Sequence, residues 1–561
     1  MRSRLFYAFV VLLFNTYSGL SQTAILPIDI PVLFSGNFGE LRSNHFHSGL
    51  DFKTQGRIGI PVKSVKDGYV SRINVSPYGY GRALYVDHPD GTTTVYAHLD
   101  HFSKEIEACT VDSQYSKQSF RVDMAIAPGV FPVKQGEIIA YSGNTGGSGG
   151  PHLHFELRDT RTEEAHDPLT LYYDKIQDTR KPEVSSFMLY PQQGRGVVNG
   201  KISKLALSFK KDKKGNTTLI PSTATVWGEV GFAVKAYDYM NGAPNILGVR
   251  EIILKVDEQT VFHSDLTHFA FSDSRYINSF VDWEEWVYKK SFYMKSFVEP
   301  GNKLKIYRSS GDGFVNFNEE REYKIEYTLK DLQGNTASHT FRVKGVKQEI
   351  PAYQPKGLVW VYNQDNQFNQ EGVSFSVPKG NLYTDIDFVF QVNRSAGSSF
   401  SALFKVGERA PLHQYCPLVL PVYNDTFPQK DKYGIISVAS SGKKNWIGGS
   451  YEEGKVKASI RELGSFSIEI DTLAPKIVAL NQANWTKNRA LSFKITDNLS
   501  GIESWTASID GQFILFEYDA KKAHLFCRYD AKRMKAGKGN LRLEVKDGCN
   551  NVAVFEGIIN W

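Results

Sequence analysis

The chain has 561 residues, 41% of them hydrophobic and 22% charged, an ordinary globular composition at a length that holds three to five domains. Its net charge of +6 is mild, and no basic block interrupts the sequence, which excludes a nucleic-acid binder built on a charged footprint. Four scattered cysteines (Cys109, Cys416, Cys527, Cys549) exclude a disulfide scaffold and show no zinc-site spacing. Cys527 and Cys549 share one late segment, and whether they pair stays open.

Residues 1–21 read as a secretory signal. Arg2 and Arg4 form a basic start, Leu5 to Phe14 an apolar run of ten residues, and Gly19 and Ser21 offer small residues for cleavage. Ten apolar residues fall well short of the ~20 that span a bilayer, and no later segment is long enough. The mature protein is therefore expected to have no transmembrane segment and to be exported to the periplasm or cell envelope, or secreted.

From about 25 to 175, short strand signals are broken by glycine. Ala83–Asp87 and Thr93–Tyr96 flank Pro89-Asp90-Gly91, which predicts a hairpin. No stretch shows a helical period, so the region is read as an all-β domain ending near Asp167-Pro168.

Chemistry concentrates there. Eight of the 13 histidines (His45, His47, His88, His98, His101, His152, His154 and His166) precede residue 170. A glycine-rich run, Gly143 to Gly150, leads into Pro151-His152-Leu153-His154-Phe155-Glu156. Strand side chains alternate, so His152 and His154 share a face. Upstream, His47 and Asp51 are four apart with Gly49 between them to allow a bend. A hydrolytic zinc needs about three nitrogen or oxygen ligands and one open position. His47, Asp51 and His154 supply two imidazoles and one carboxylate, which leaves net positive charge to lower the pKa of a bound water. His98 and His152 are then left to relay protons or stabilise an oxyanion. No His-Glu-x-x-His segment provides a glutamate base. His45, His88, His101 and His166 read as structural or surface residues, and Glu156 as a strand-end surface carboxylate.

His47-x-x-x-Asp51, Tyr96-Ala97-His98-Leu99 and Gly143-Asn144-Thr145-Gly146 with Gly150-Pro151-His152-Leu153-His154-Phe155-Glu156 resemble the lysostaphin/LytM-type zinc metallopeptidases over residues 35–172. Gly79 to His88 and Val133 to Ala140 look like that family's strands. The resemblance implies a small antiparallel, barrel-like β fold and endopeptidase cleavage of peptidoglycan cross-links or stem peptides with one zinc ion. It also implies metal ligands at His47, Asp51 and His154, and catalytic histidines at His98 and His152. The segment from Glu107 to Phe131 is longer than the family pattern and reads as a loop or lid over the groove.

Beyond residue 178 the sequence repeats loosely. Asp178 to Pro182 is echoed by Asp471 to Pro475, Asp238 to Gly242 by Asp497 to Gly501, and Lys330 to Asn335 by Lys546 to Asn551. Alternating strands such as Tyr323/Ile325/Tyr327/Leu329 and Leu541/Leu543/Val545 predict two or three Ig-like β-sandwich domains in this part, with a β-sandwich over 178–346, a β-rich domain over 350–470 and an Ig-like β-sandwich over 471–561. Asp497 and Asp547 are read as turn residues rather than calcium ligands, and the downstream aromatics as core. The expected function is an exported zinc metalloendopeptidase of peptidoglycan, with an envelope protein partner for the C-terminal domains. The alternatives are a catalytically silent module that activates a wall amidase, or an envelope scaffold.

Overall fold

The computed structural model describes residues 22–211 and 217–561, so the signal read over 1–21 lies outside the described residues. The chain consists mostly of antiparallel strands gathered around four main apolar cores.

The first core is built on one antiparallel sheet. Its strands run in the order Phe34–Gly36, Leu50–Lys53, His152–Asp159, Thr92–Ala97, Arg82–Asp87, Gly68–Val75 and Val122–Ala125. The predicted hairpin is present, with Gly91 at φ +81° closing the turn. Alternation along the central strand decides the rest. Leu153 and Phe155 enter the apolar core with Leu50, Phe52 and Tyr96, while His152, His154, Glu156 and Arg158 lie on the opposite face. A small sheet of Pro61–Lys63, Ile138–Ser142 and Leu99–Phe102 adds Val62, Ile139 and Phe102 to the same core.

One element departs from the all-β reading of this region, a helix over Lys104–Ser116. Its buried face is Ile106, Thr110 and Gln114. Two of these three are polar, with Thr110 Oγ1 donating to the Ile106 carbonyl (2.8 Å) and Gln114 Nε2 to the Phe120 carbonyl (2.7 Å), so the helix carries no apolar stripe to betray it.

A ten-stranded sheet between Glu183 and Gly345 surrounds the second core, and includes one parallel pairing, Ala224–Val226 with Val343–Gly345. An eight-stranded sheet between Asn366 and Ile470 forms the third. The last core lies between two four-stranded antiparallel sheets drawn from Lys476–Asn560. All four cysteines are free, and Cys527 packs in that last core. No helix among the described residues is long and apolar enough to cross a membrane.

The bodies interlock. Phe38 and Phe46, which precede His47, are buried in the second core, where Phe38 stacks on Phe269 at 5.1 Å. Ala165–His166 pairs with His268–Phe269 across the same boundary. The segment from Glu107 to Phe131 is not a lid. Its helix and the turn after it carry the C-terminal body, through Tyr115 against Phe513 (5.5 Å) and Phe120 against Trp505 (6.2 Å), with an ion pair between Asp112 and Arg533.

Candidate metal centre

Register builds the site. His154 lies directly opposite Asp51 on one neighbouring strand and opposite Ala97 on the other, so Asp51, His154 and His98 are brought side by side. His47 arrives from the loop before Leu50–Lys53. At Gly49 the chain passes so close to the central strand that a Cβ would sit 2.3 Å from the Phe155 carbonyl oxygen, which only glycine permits.

Three donor atoms converge. His47 Nε2 is 3.1 Å from Asp51 Oδ1 and 3.1 Å from His154 Nδ1, and His154 Nδ1 is 2.9 Å from Asp51 Oδ1. Ligands ~2.0–2.2 Å from a tetrahedral zinc stand about 3.3 Å apart, so these spacings match the edges of such a site. All three side chains are buried, at 7%, 7% and 3% exposure for His47, Asp51 and His154.

Outer partners fix which nitrogen faces inward. His47 Nδ1 donates to the Asn37 carbonyl (2.7 Å) and leaves Nε2 free. His154 Nε2 donates to Glu156 Oε1 (2.8 Å) and leaves Nδ1 free. This carboxylate–histidine arrangement is what a ligating histidine requires. Asp51 Oδ2 is approached by Arg42 at 3.4 Å, so that Oδ1 is the oxygen turned to the histidines. The donor set, its burial and its tautomers therefore fit a zinc ion.

Electrostatics agree. Burial opposes charge on His154, but hydrogen bonds to Asp51 and Glu156 outweigh it and push its pKa up to about 9. Burial likewise opposes ionisation of Asp51, yet His47, His152 and His154 hold it well below the usual carboxylate range. Asp51 and Glu156 thus stabilise positive charge at the position of His154.

His98 and His152 stand beside this set. Their rings are 4.8 Å apart, and the His98 ring is 5.7 Å from that of His154. His98 has φ +59°, an uncommon conformation for a side-chain-bearing residue, held by its N–H to Tyr80 O (2.9 Å) and its Nδ1 to Thr145 O (2.9 Å). Burial, then the neighbouring His154 and His152, push its pKa down to about 3. His152 Nδ1 donates to Gly150 O (2.8 Å), and its Nε2 lies 3.3 Å from Asp51 Oδ1. A cleft of about 620 Å³ opens here, lined by Leu33, Arg42, Lys53, Gln55, Pro151 and His152 among others.

The other histidines lie away from the centre: His88 is clamped between Asp67 O and Thr94 Oγ1 (both 2.8 Å), His101 stacks on Tyr141 and His166 on His268. Glu156 departs from its surface reading. It is fully buried and accepts from His154, Ser48, Tyr80 and Arg158. The alternation His152, His154, Glu156, Arg158 carried that signal, whereas nothing local pointed to Asn37 or Tyr80.

Residues 45–113 and 123–168 match Peptidase family M23, and residues 358–471 match the Zu5-like domain. The DD-carboxypeptidase/endopeptidase Mpg of Neisseria meningitidis serogroup B is 33% identical over 118 residues, 21% of this chain and 21% of that protein. The peptidoglycan DD-endopeptidase ShyB of Vibrio cholerae is 35% identical over 111 residues, 20% of each chain. The chain thus spans about a fifth of the length of the curated relatives it matches. Among solved structures, the catalytic domain of lysostaphin from Staphylococcus simulans is 28% identical, covering 24% of this chain and 86% of that one with a TM-score of 0.18.

Proposed function

The chain carries an N-terminal domain of peptidase family M23, and on that premise we propose that it is an exported zinc metalloendopeptidase that cleaves peptide bonds in peptidoglycan cross-links or stem peptides. The observation that supports this most is the convergence of His47, Asp51 and His154 with His98 and His152 beside them. Zinc bound there supplies Lewis acidity towards the scissile carbonyl and lowers the pKa of a water.

The protein's own groups do the rest. His47 Nε2, Asp51 Oδ1 and His154 Nδ1 would hold the ion, with Asn37 and Glu156 fixing the two rings. Burial and the neighbouring imidazoles hold the His98 pKa down, which favours the neutral ring, and Nδ1 donates to the Thr145 carbonyl, which leaves Nε2 as the nitrogen open to exchange a proton. His152, held through Nδ1 by Gly150, keeps Nε2 at the same centre to pass a proton or donate to a developing oxyanion.

Digestion of purified peptidoglycan by the mature protein, with and without chelator, tests the proposal. His154→Ala is expected to lose zinc, and His152→Ala to keep zinc and lose about 10²–10⁴-fold in turnover. Wild-type protein that holds zinc yet releases no new peptide ends from any wall type would point instead to a silent module acting on a separate hydrolase.

A further inference from the structure

We propose that Asp178, Asp238 and Asp331 form a calcium site at the junction between the peptidase body and the β domain that follows it. One carboxylate oxygen from each lies within 4.8 Å of the others. Asp238 and Asp331 are buried, at 3% and 5% exposure. Asp238 Oδ1 is fully enclosed and has no hydrogen-bond partner. A carboxylate does not stay ionised, buried and unpaired without a compensating charge.

The surroundings leave that role unfilled. Asp331 accepts from the N–H (2.8 Å) and Nδ2 (2.7 Å) of Asn335, and Asp178 from the N–H groups of Asn241 and Arg180 (both 3.1 Å). The nearby cations face other acids: Arg180 pairs with Glu183 and Arg250 with Asp265, each at 2.9 Å. All three aspartates line a cavity of about 30 Å³, enough for one ion or one water. An all-oxygen donor set with three carboxylates is suited to a hard cation that accepts irregular coordination, which favours calcium over zinc or magnesium. Burial and the facing Asp331 push the Asp238 carboxyl up to about 8, a repulsion that a divalent cation relieves.

The chain builds the arrangement twice. Asp471, Asp497 and Asp547 converge in the same way in the last body. Asn551 repeats Asn335, binding Asp547 Oδ2 (2.8 Å) and the Asp471 carbonyl (3.0 Å) as Asn335 binds Asp331 and the Asp178 carbonyl (3.0 Å). The three paired echoes in the sequence are thus the three corners of each cluster, and the turn reading of Asp497 and Asp547 misses their convergence. Asp497 is the more exposed corner of the second copy, and the proposal rests on the first.

The first site also lies behind the zinc loop. Asp238 pairs through its backbone with Leu247 (2.9 and 2.8 Å), and the next residue, Gly248, donates to Asn37 Oδ1 (2.7 Å), the residue whose carbonyl orients His47. A cation there fixes the strand that Asn37 leans on.

The test needs no peptidase activity. Full-length, zinc-loaded protein is dialysed to equilibrium against radiolabelled calcium at about 1 mM, the range of extracellular sites, and its thermal unfolding is followed with calcium or magnesium. Wild type is expected to bind calcium and to gain several degrees in Tm with calcium but not with magnesium. Asp238→Asn, which removes like-charge repulsion and keeps the shape, is expected to bind one calcium ion fewer and to lose much of that gain. Asp331→Asn serves as the second variant if Asp238→Asn folds poorly. Wild type that binds no calcium, or variants that bind as many ions as wild type, overturn the proposal.

Discussion

The imidazole of His47 is oriented by Asn37, whose carbonyl accepts its Nδ1–H at 2.7 Å while the Asn37 side chain spans to Gly248 of the next body through bonds of 2.9 and 2.7 Å. A ligand of the candidate metal centre is therefore positioned by a contact between two bodies. Asn37→Ala removes both bonds to Gly248, each contributing about 1 kcal/mol. The expected result is zinc affinity lower by about 10–100-fold, measured by chelator competition, with the fold retained.

Glu156 does the same for His154 from within the sheet. Glu156→Ala would leave Arg158 buried without its partner and costs about 3–5 kcal/mol. Glu156→Gln keeps the shape and removes the charge. It is expected to fold, to bind zinc about 10–100-fold more weakly, and to show by NMR titration a His154 pKa below that of wild-type apoprotein.

Gly49→Ala tests the close approach that lets His47 and Asp51 meet. The added Cβ meets backbone at Phe155 rather than a flexible side-chain end, so strand pairing must open. A loss of about 1–3 kcal/mol in denaturant unfolding is expected, together with loss of bound zinc. A variant as stable and zinc-replete as wild type would contradict the register described above.

Lys521 comes from the last body and donates to the carbonyls of Asn144 and Ser148 in the glycine loop that leads into His152. Lys521→Ala frees that loop without touching a donor atom. Turnover on peptidoglycan is expected to fall several-fold with zinc content unchanged, because small misplacement of a proton-transferring group is costly. Equal turnover would show the contact to be structural only.

Asp167 provides a pH test. Burial pushes its pKa up to about 7, from an unfolded value near 3.9. A carboxyl raised in this way stabilises the fold fully below about pH 4, and that contribution is lost as the pH rises through about 7. The Asp167 contribution, read as the difference in thermal unfolding between wild type and Asp167→Asn, is expected to fall over this window by up to a few kcal/mol. Asp167→Asn keeps the acceptor for the Leu169 N–H and removes the titrating carboxyl.

The residues that bear chemistry were legible because their signals are local. The two-residue spacing of His152 and His154, the glycine run before them and the His47–Asp51 spacing each fix side-chain type and direction within a few positions, and alternation in Tyr323 to Leu329 marks a strand wherever that strand packs. The helix over Lys104–Ser116 was not legible, because its buried face holds Thr110 and Gln114, which donate to the Ile106 and Phe120 carbonyls, partners that hydropathy does not show. Tertiary structure alone decided what Asn37, Glu156 and the three aspartates of each cluster do, since burial and hydrogen-bond partners belong to pairs of segments that come together only when the bodies pack. Sequence determined which donors the protein owns; packing of one body against the next determined which of their atoms face one another.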